Sequence, residues 1–436
     1  MARSATTTAY EMLTGEDEGR ACSDIPDSAC RHQPRNFVTH IGCLGATKTA
    51  DGLIDPKLVL AWLMAQVGAP AALIGLLVPV REAGALLPQL LTAGYIRRLP
   101  RRKWVWVAGS VIQGLAALGI AAAALLLHGA TAGWTILGLL ALLAVARSLC
   151  SVSLKDVLGK TVDRARRGTA TGTATTLGSA AVIVFALILI LELGPRGAVV
   201  IWAIMLAGGL WLVAAGLFST LREEPGATEG GRSGLVAAWD SLGLLRTDAG
   251  LRRFILARAL LVPTALAPPY MVALVAATPG RALESLGALV LASALAGLLS
   301  AYVWGRLADR SSRLVLAATG AAAAAILALT ALADAAGWLA EPLVLPALLF
   351  VLMVSYHGVR LGRTTHLVDM ATPETRASYT ALSNTLIGAV LLAGGGFALV
   401  ADLLGVRAVI VALAAFSALA VPAALALDEV QERSES

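Results

Sequence analysis

Charge is what this chain has least of. Only 14% of its 436 residues are charged and 5% are aromatic, while 58% are apolar. With a mean hydropathy of +0.78, it has too few ionisable side chains to clothe a soluble protein of this length in a polar shell. Cysteine is scarce as well. Cys22, Cys30, Cys43 and Cys150 lack the paired spacing of a secreted disulfide framework, so unpaired thiols are expected. Cys22 and Cys30 with His32 form only a loose cluster in a polar stretch, and no metal site is expected there. The stretch 1–35, from "MARSATTTAY" to "RHQPR", contains no apolar core of a secretory leader and reads as a polar, disordered tail. A nucleotide-binding loop, a His-Glu-x-x-His motif and an Asp-rich pair for diphosphate–magnesium chemistry are all missing. Those absences argue against an enzyme, so neither a catalytic residue nor a cofactor is expected. Any work done on a solute must draw on a gradient.

What is abundant is apolar length. Runs of about 20 residues, enough for a helix to cross roughly 30 Å of hydrocarbon, recur along the chain. They predict an all-α integral membrane protein of twelve transmembrane helices. The first six are 37–64, 72–97, 104–127, 134–156, 169–192 and 197–218. The second six are 252–277, 283–306, 313–335, 338–366, 378–401 and 405–427. Two six-helix bundles, 37–218 and 252–427, are thus flanked by tails at 1–36 and 428–436. The linker between them, 219–251, is polar and glycine-rich at first. Leu235, Trp239, Leu242 and Leu245 then recur at near-helical spacing and predict a helix lying on the membrane surface.

Basic residues sort by loop. Arg97, Arg98, Arg101, Arg102 and Lys103 follow helix 2, and Lys155, Lys160, Arg164, Arg166 and Arg167 follow helix 4. Arg306, Arg310 and Arg313 follow helix 8, and Arg360, Arg363 and Arg376 lie near the end of helix 10. "HGATAG" after helix 3 has none. By the positive-inside rule, these loops, the linker and both termini lie on the cytoplasmic side of the cell membrane. The formal charge of +6 reports that orientation and implies no nucleic-acid partner.

Two charged knots stand out, "WGRLADRSSR" from Trp304 and the worn "AGYIRRLPRRK" from Ala93. Gly94 and Arg102 match Gly305 and Arg313 at one offset. "RSLCSVSLKDV" from Arg147 matches "RLGRTTHLVDM" from Arg360 at nearly the same offset. The two halves therefore repeat in the same order, an arrangement known in transporters. In these residues the sequence resembles the major facilitator superfamily over residues 37–427. The loop 2–3 signature of that family, Gly-x-Leu-x-Asp-Arg-x-Gly-Arg, is matched by Gly305, Leu307, Asp309, Arg310 and Arg313. The first copy has Arg98 where the family has Asp. Arg147 resembles the family's helix 4 arginine, and the antiporter Gly-Pro run is absent from "SAAVIVFALILILELG". The resemblance implies a pseudo-symmetric pair of bundles that alternate access to a central cavity lined by helices 1, 4, 7 and 10. It also implies a conformational latch at the knots, made by Gly305, Asp309, Arg310, Arg313, Gly94 and Arg102. The glycines would let helices approach closely, and Asp309 would supply a carboxylate that the first copy lacks.

Ionisable residues at membrane depth are costly and ordinarily face a cavity or a partner. Lys48, Asp51 and Asp55 share one face of helix 1. Arg81 and Glu82 lie at a similar depth on helix 2, so these groups form either a structural ion pair or a proton-coupling site. Asp51 and Glu82 are the proton-carrier candidates. Arg147 and Arg360 lie deep without obvious carboxylate partners, so they read as ligands for an anionic substrate, with Lys48 and His357 nearby. Arg258 is shallow enough to snorkel. Pro263, Pro268 and Pro269 break or kink helix 7. The expected function is secondary transport of a small organic anion with protons, by a monomer in the lipid bilayer. Efflux of neutral or amphipathic compounds, and a non-cycling receptor or scaffold, are the alternatives.

Overall fold

The computed structural model of the protein describes residues 5–14, 25–226, 243–276, 286–372 and 375–431. Among these, nine helices are long and apolar enough to cross a membrane. Three further expected spans complete the twelve. Helix 1 is Gln33–Leu53 and Val59–Gln66, and helix 2 is Ala71–Gly75, Leu77–Leu86 and Pro88–Arg97; both are interrupted. Helix 8 is Leu286–Arg310. The remaining helices of the first half are Lys103–Leu126, Gly129–Thr161, Arg164–Ile190 and Arg196–Ser219. The second half continues with helix 7 (Ala249–Leu260, Pro263–Ala276), helix 9 (Ser312–Ala335) and helix 10 (Val344–Met370). Helix 11 is Arg376–Ala393 and Phe397–Leu404, and helix 12 is Val406–Leu425.

The interruption in helix 1 follows from three residues. Pro56 has no N–H and its ring clashes with the carbonyl four residues back, so the helix ends before it. Asp55 Oδ1 then accepts the N–H groups of Lys57 (2.8 Å) and Leu58 (3.1 Å), which caps the next segment. In helix 7 Pro263 occupies the first position of the second segment, where a missing N–H costs nothing. Pro268 and Pro269 continue inside that helix without ending it.

The repeat is visible in the packing. Helix 2 packs on helix 4, 3 on 4 and 3 on 6; correspondingly, 8 packs on 10, 9 on 10 and 9 on 12. Gly114 and Gly208 let helices 3 and 6 meet backbone to backbone: a Cβ on either would lie 2.9 Å or 3.0 Å from the other's carbonyl oxygen. Large apolar side chains such as Leu126, Trp202, Leu206 and Leu404 point outward. On a soluble protein they would be a liability; they suit helices long and apolar enough to cross a membrane. The halves join through helices 1 and 7, 2 and 7, 2 and 11, and 5 and 8.

Several expectations fail locally. The N-terminal stretch is not a structureless tail. Ala5–Thr14 is helical, Tyr10 is buried edge-to-face on Phe37 at 5.2 Å, and Gln33 donates to the Tyr10 hydroxyl at 2.9 Å. Apolar Tyr10, Phe37, Ile41 and Val162 form a small core of their own there. Cys43 and Cys150 are free and buried, but Cys30 is disulfide-bonded; Cys22 lies outside the described residues. Of the surface helix expected in the linker, Leu235, Trp239 and Leu242 lie outside the described residues, and Leu245 sits in the turn Leu244–Thr247.

Candidate functional site

The first cluster is built by helices 1, 2 and 4. Asp51 Oδ2 accepts from Arg147 Nη2 at 2.5 Å, and its Oδ1 accepts from Arg81 Nη2 at 3.4 Å. One carboxylate therefore serves two guanidiniums, and the expectation that Arg147 lacks a carboxylate partner is overturned. The reason is geometric. Helix 1 runs beside both helices 2 and 4, so a residue spaced to meet Arg81 also reaches Arg147. Lys48, three residues away, is exposed and interacts electrostatically with Asp51, Arg147 and Arg360.

The second cluster spans the two halves. Because the Asp55–Pro56 break redirects the chain, the Lys57 ammonium reaches helix 10: it donates to the Tyr356 hydroxyl at 3.1 Å and lies 4.4 Å from the ring centroid. Glu82 faces Lys57 at 3.9 Å, and Arg360 and Arg363 also act on it electrostatically. Tyr356, Arg360 and Arg363 fall on one face of helix 10 by their spacing, with the Arg360 guanidinium 5.8 Å from the Tyr356 ring. Glu82, Tyr356, Arg360, Arg363 and Arg258 line a cavity of ≈ 70 Å³ whose other walls, Thr264 apart, are apolar, among them Leu86, Leu261 and Ile387.

Arg258 does not snorkel. It is 6% exposed and donates to Ser383 Oγ at 2.6 Å and Asn384 Oδ1 at 2.9 Å of helix 11. Its Nε has no partner. Among the described residues no carboxylate lies within ion-pairing distance of Arg258, Arg360 or Arg363. His357 points elsewhere: a Cβ on Gly297 of helix 8 would lie 3.3 Å from its Nε2. Asp55 is occupied as a cap.

The knots are tied down differently from the expectation. Arg102 pairs with Asp156 at the end of helix 4. Its backbone N–H and that of Lys103 donate to the two oxygens of Glu223, at 3.0 and 2.8 Å, and Lys160 bridges Asp156 and Glu223. The second half repeats the scheme. Arg313 pairs with Glu429 at 2.9 Å, Ser311 donates to the same carboxylate at 2.6 Å, and Gln431 joins Ser312 to Asp369. Each knot is thus held by a glutamate that follows the last helix of its half. Gly305 has open space around it, so close helix approach is not its role. Arg310 is exposed, and the side chain of Asp309, like any side-chain environment of Gly94, lies outside the described residues. At the start of helix 7, burial works against the Asp248 carboxylate. Hydrogen bonds from the Tyr379 hydroxyl and the N–H groups of Leu251 and Gly250, with Arg252 nearby, outweigh that and hold it below the usual range.

Sequence reading missed Lys57, Arg258, Arg363, Tyr356, Glu223 and Glu429. The signal for Lys57 was present: an Asp-Pro pair in mid-helix marks a break, and a lysine just past it is aimed off the helix axis. The Tyr356, Arg360, Arg363 stripe was also legible as a helix face.

Comparison with known proteins agrees with this fold. The nucleoside transporter NupG, as its D323A mutant, superposes with a TM-score of 0.72 at 14% identity, covering 90% of this chain and 100% of that one. A D-xylose–proton symporter gives 0.66 at 11% identity, covering 91% and 98%. A POT family transporter in complex with 5-aminolevulinic acid gives 0.65 at 10% identity, covering 90% and 95%. Such identities speak for the fold alone. No curated protein matches by sequence. The profile of the Major Facilitator Superfamily matches residues 46–359. With twelve-helix architecture, repeated packing and that match together, the chain belongs to the major facilitator superfamily and is a multi-pass membrane protein with the fold of its transporters.

Proposed function

We propose that this protein is a secondary transporter that moves a small organic anion together with protons by alternating access of its two halves. The observation that carries the reading is the cavity between the halves, where Arg258, Arg360 and Arg363 converge with no carboxylate partner among the described residues. The Arg258 guanidinium is buried, a buried guanidinium without a carboxylate is costly, and an anionic substrate offsets that cost. Glu82 is the proton carrier in this scheme. It lines the cavity and faces Lys57 at 3.9 Å, whereas Asp51 is held in direct ion pairs by two arginines. The protein works as a monomer in the cytoplasmic membrane with both termini inside, as the basic loops support.

The test is uptake into proteoliposomes under an imposed pH gradient, screened over small organic anions, cations and neutral solutes. An anion should be accumulated, and Glu82→Gln should abolish its response to the gradient while leaving exchange of that anion intact. Accumulation of a cation, or gradient-driven uptake by Glu82→Gln, would overturn the reading. Orientation is checked separately. Cysteines at Gly129 or Gly194 should label from outside intact cells, and one at the exposed Arg310 only after permeabilisation.

A further inference from the structure

The arginine cavity carries more information than the sign of its ligand. We infer that it takes a dianionic tetrahedral head group, a phosphate monoester or phosphonate, in preference to a monoanion. This rests on the reading of the protein as an anion transporter.

Three observations converge. Lys57 and Glu82 face each other at 3.9 Å, and Asp55 also acts on Lys57, so with Arg258, Arg360 and Arg363 around the space the cations outnumber the carboxylates by two. A monoanion would neutralise only half of that excess; a dianion balances it, and guanidinium forks suit tetrahedral oxyanions bidentately. Next, Arg258 is buried and fixed by two neutral acceptors, Ser383 and Asn384. Neutral partners set the fork's direction without quenching its charge, and its buried Nε has no hydrogen-bond partner. Finally, the Tyr356 hydroxyl accepts from Lys57, which leaves its own proton free to donate to a substrate oxygen. The volume of ≈ 70 Å³ is several times the roughly 10–15 Å³ that one water needs on this measure. That suits a head group, with the rest of the solute extending towards the open space beside Arg360.

Methyl phosphate and methyl sulfate separate charge from shape: both are tetrahedral, and they differ by one charge at about pH 8, above the phosphate's second pKa of about 6. Binding is measured by calorimetry on the full-length protein in lipid nanodiscs, with benzoate as a planar monoanion. Methyl phosphate should bind at least about tenfold more tightly than methyl sulfate, given the strength of close charge pairs in a partly dry site. Arg258→Gln and Arg363→Gln should each remove most of that preference, and Arg363→Lys, which keeps the charge and preserves the fold, should retain part of it. Equal binding of the two methyl esters, or tighter binding of the sulfate, overturns the inference. If benzoate still binds and depends on the arginines in that case, anion transport stands and only the dianion falls. Failure of all three anions to bind overturns both.

Discussion

At the scale of single residues, the decisive arrangement is one aspartate shared by two arginines. Asp51 holds Arg81 and Arg147 from two different helices, so removing its charge leaves two guanidiniums without a carboxylate. Breaking a buried pair of this kind costs about 3–5 kcal/mol; partial exposure of all three side chains argues for the lower part of that range. Asp51→Asn should therefore lower the melting temperature of the purified protein markedly, and adding Arg147→Gln should restore part of the loss. If the double variant were less stable than the sum of the single ones, Asp51 would not be acting as the shared counter-ion. The depth of Asp51, Arg81, Glu82, Arg147 and Arg360 was legible in the sequence, because an ionisable residue inside an apolar run is conspicuous. Partners were not legible. Arg363 sits where topology alone also calls for arginine, and Arg258 lies close enough to a helix end to pass for a snorkelling residue. Only the neighbouring helix, with Ser383 and Asn384, shows otherwise.

At the scale of elements, the break in helix 1 sets where the chemistry happens. Had the helix run unbroken through 37–64, Lys57 would follow its helical register; the Asp55 cap and Pro56 instead turn it to Tyr356 on the other half. The sequence predicted the span but not the break, since apolar length reports membrane crossing and says little about continuity. The structure assigns Asp55 a capping role, which separates it from proton carriage by a simple comparison. Asparagine caps about as well as aspartate, while alanine loses about 1 kcal/mol or more. Asp55→Asn should keep both stability and gradient-driven uptake, whereas Asp55→Ala should be less stable in thermal denaturation and transport poorly. Loss of the gradient response in Asp55→Asn at normal stability would make Asp55 a proton carrier after all. Helices 9 and 5 start on similar caps, Ser311 and Asp163, which helix-capping rules anticipate.

At the scale of the whole molecule, the two halves meet along a close-packed seam of helices 2 and 7, 2 and 11, and 5 and 8. The seam is made where small residues meet large ones: Gly287 abuts Leu189 and Ile190, Gly395 abuts Leu76, and Gly75 abuts the Tyr270 hydroxyl so closely that no Cβ fits. Tyr270 is completely buried, and its hydroxyl has no hydrogen-bond partner. An unsatisfied buried hydroxyl costs about 1–3 kcal/mol, so the seam holds through packing while carrying a built-in penalty, which suits a contact that must also open. Lys48 is exposed and electrostatically close to Arg147 of one half and Arg360 of the other, so its accessibility can report on how the halves sit. Gly75→Ala should force the seam apart and shift the protein towards its alternative conformation. Alkylation of K48C by a membrane-impermeant maleimide in purified protein should then slow several-fold. Tyr270→Phe removes the hydroxyl together with its penalty, so it should speed K48C alkylation alone, but it should relieve only part of the Gly75→Ala effect in combination because the ring carbons still meet the new Cβ. Cys43 and Cys150 are buried and should contribute little background. Unchanged K48C rates in both single variants would mean that the Gly75–Tyr270 contact does not bias the two conformations, and that the seam is governed by helices 5 and 8 instead.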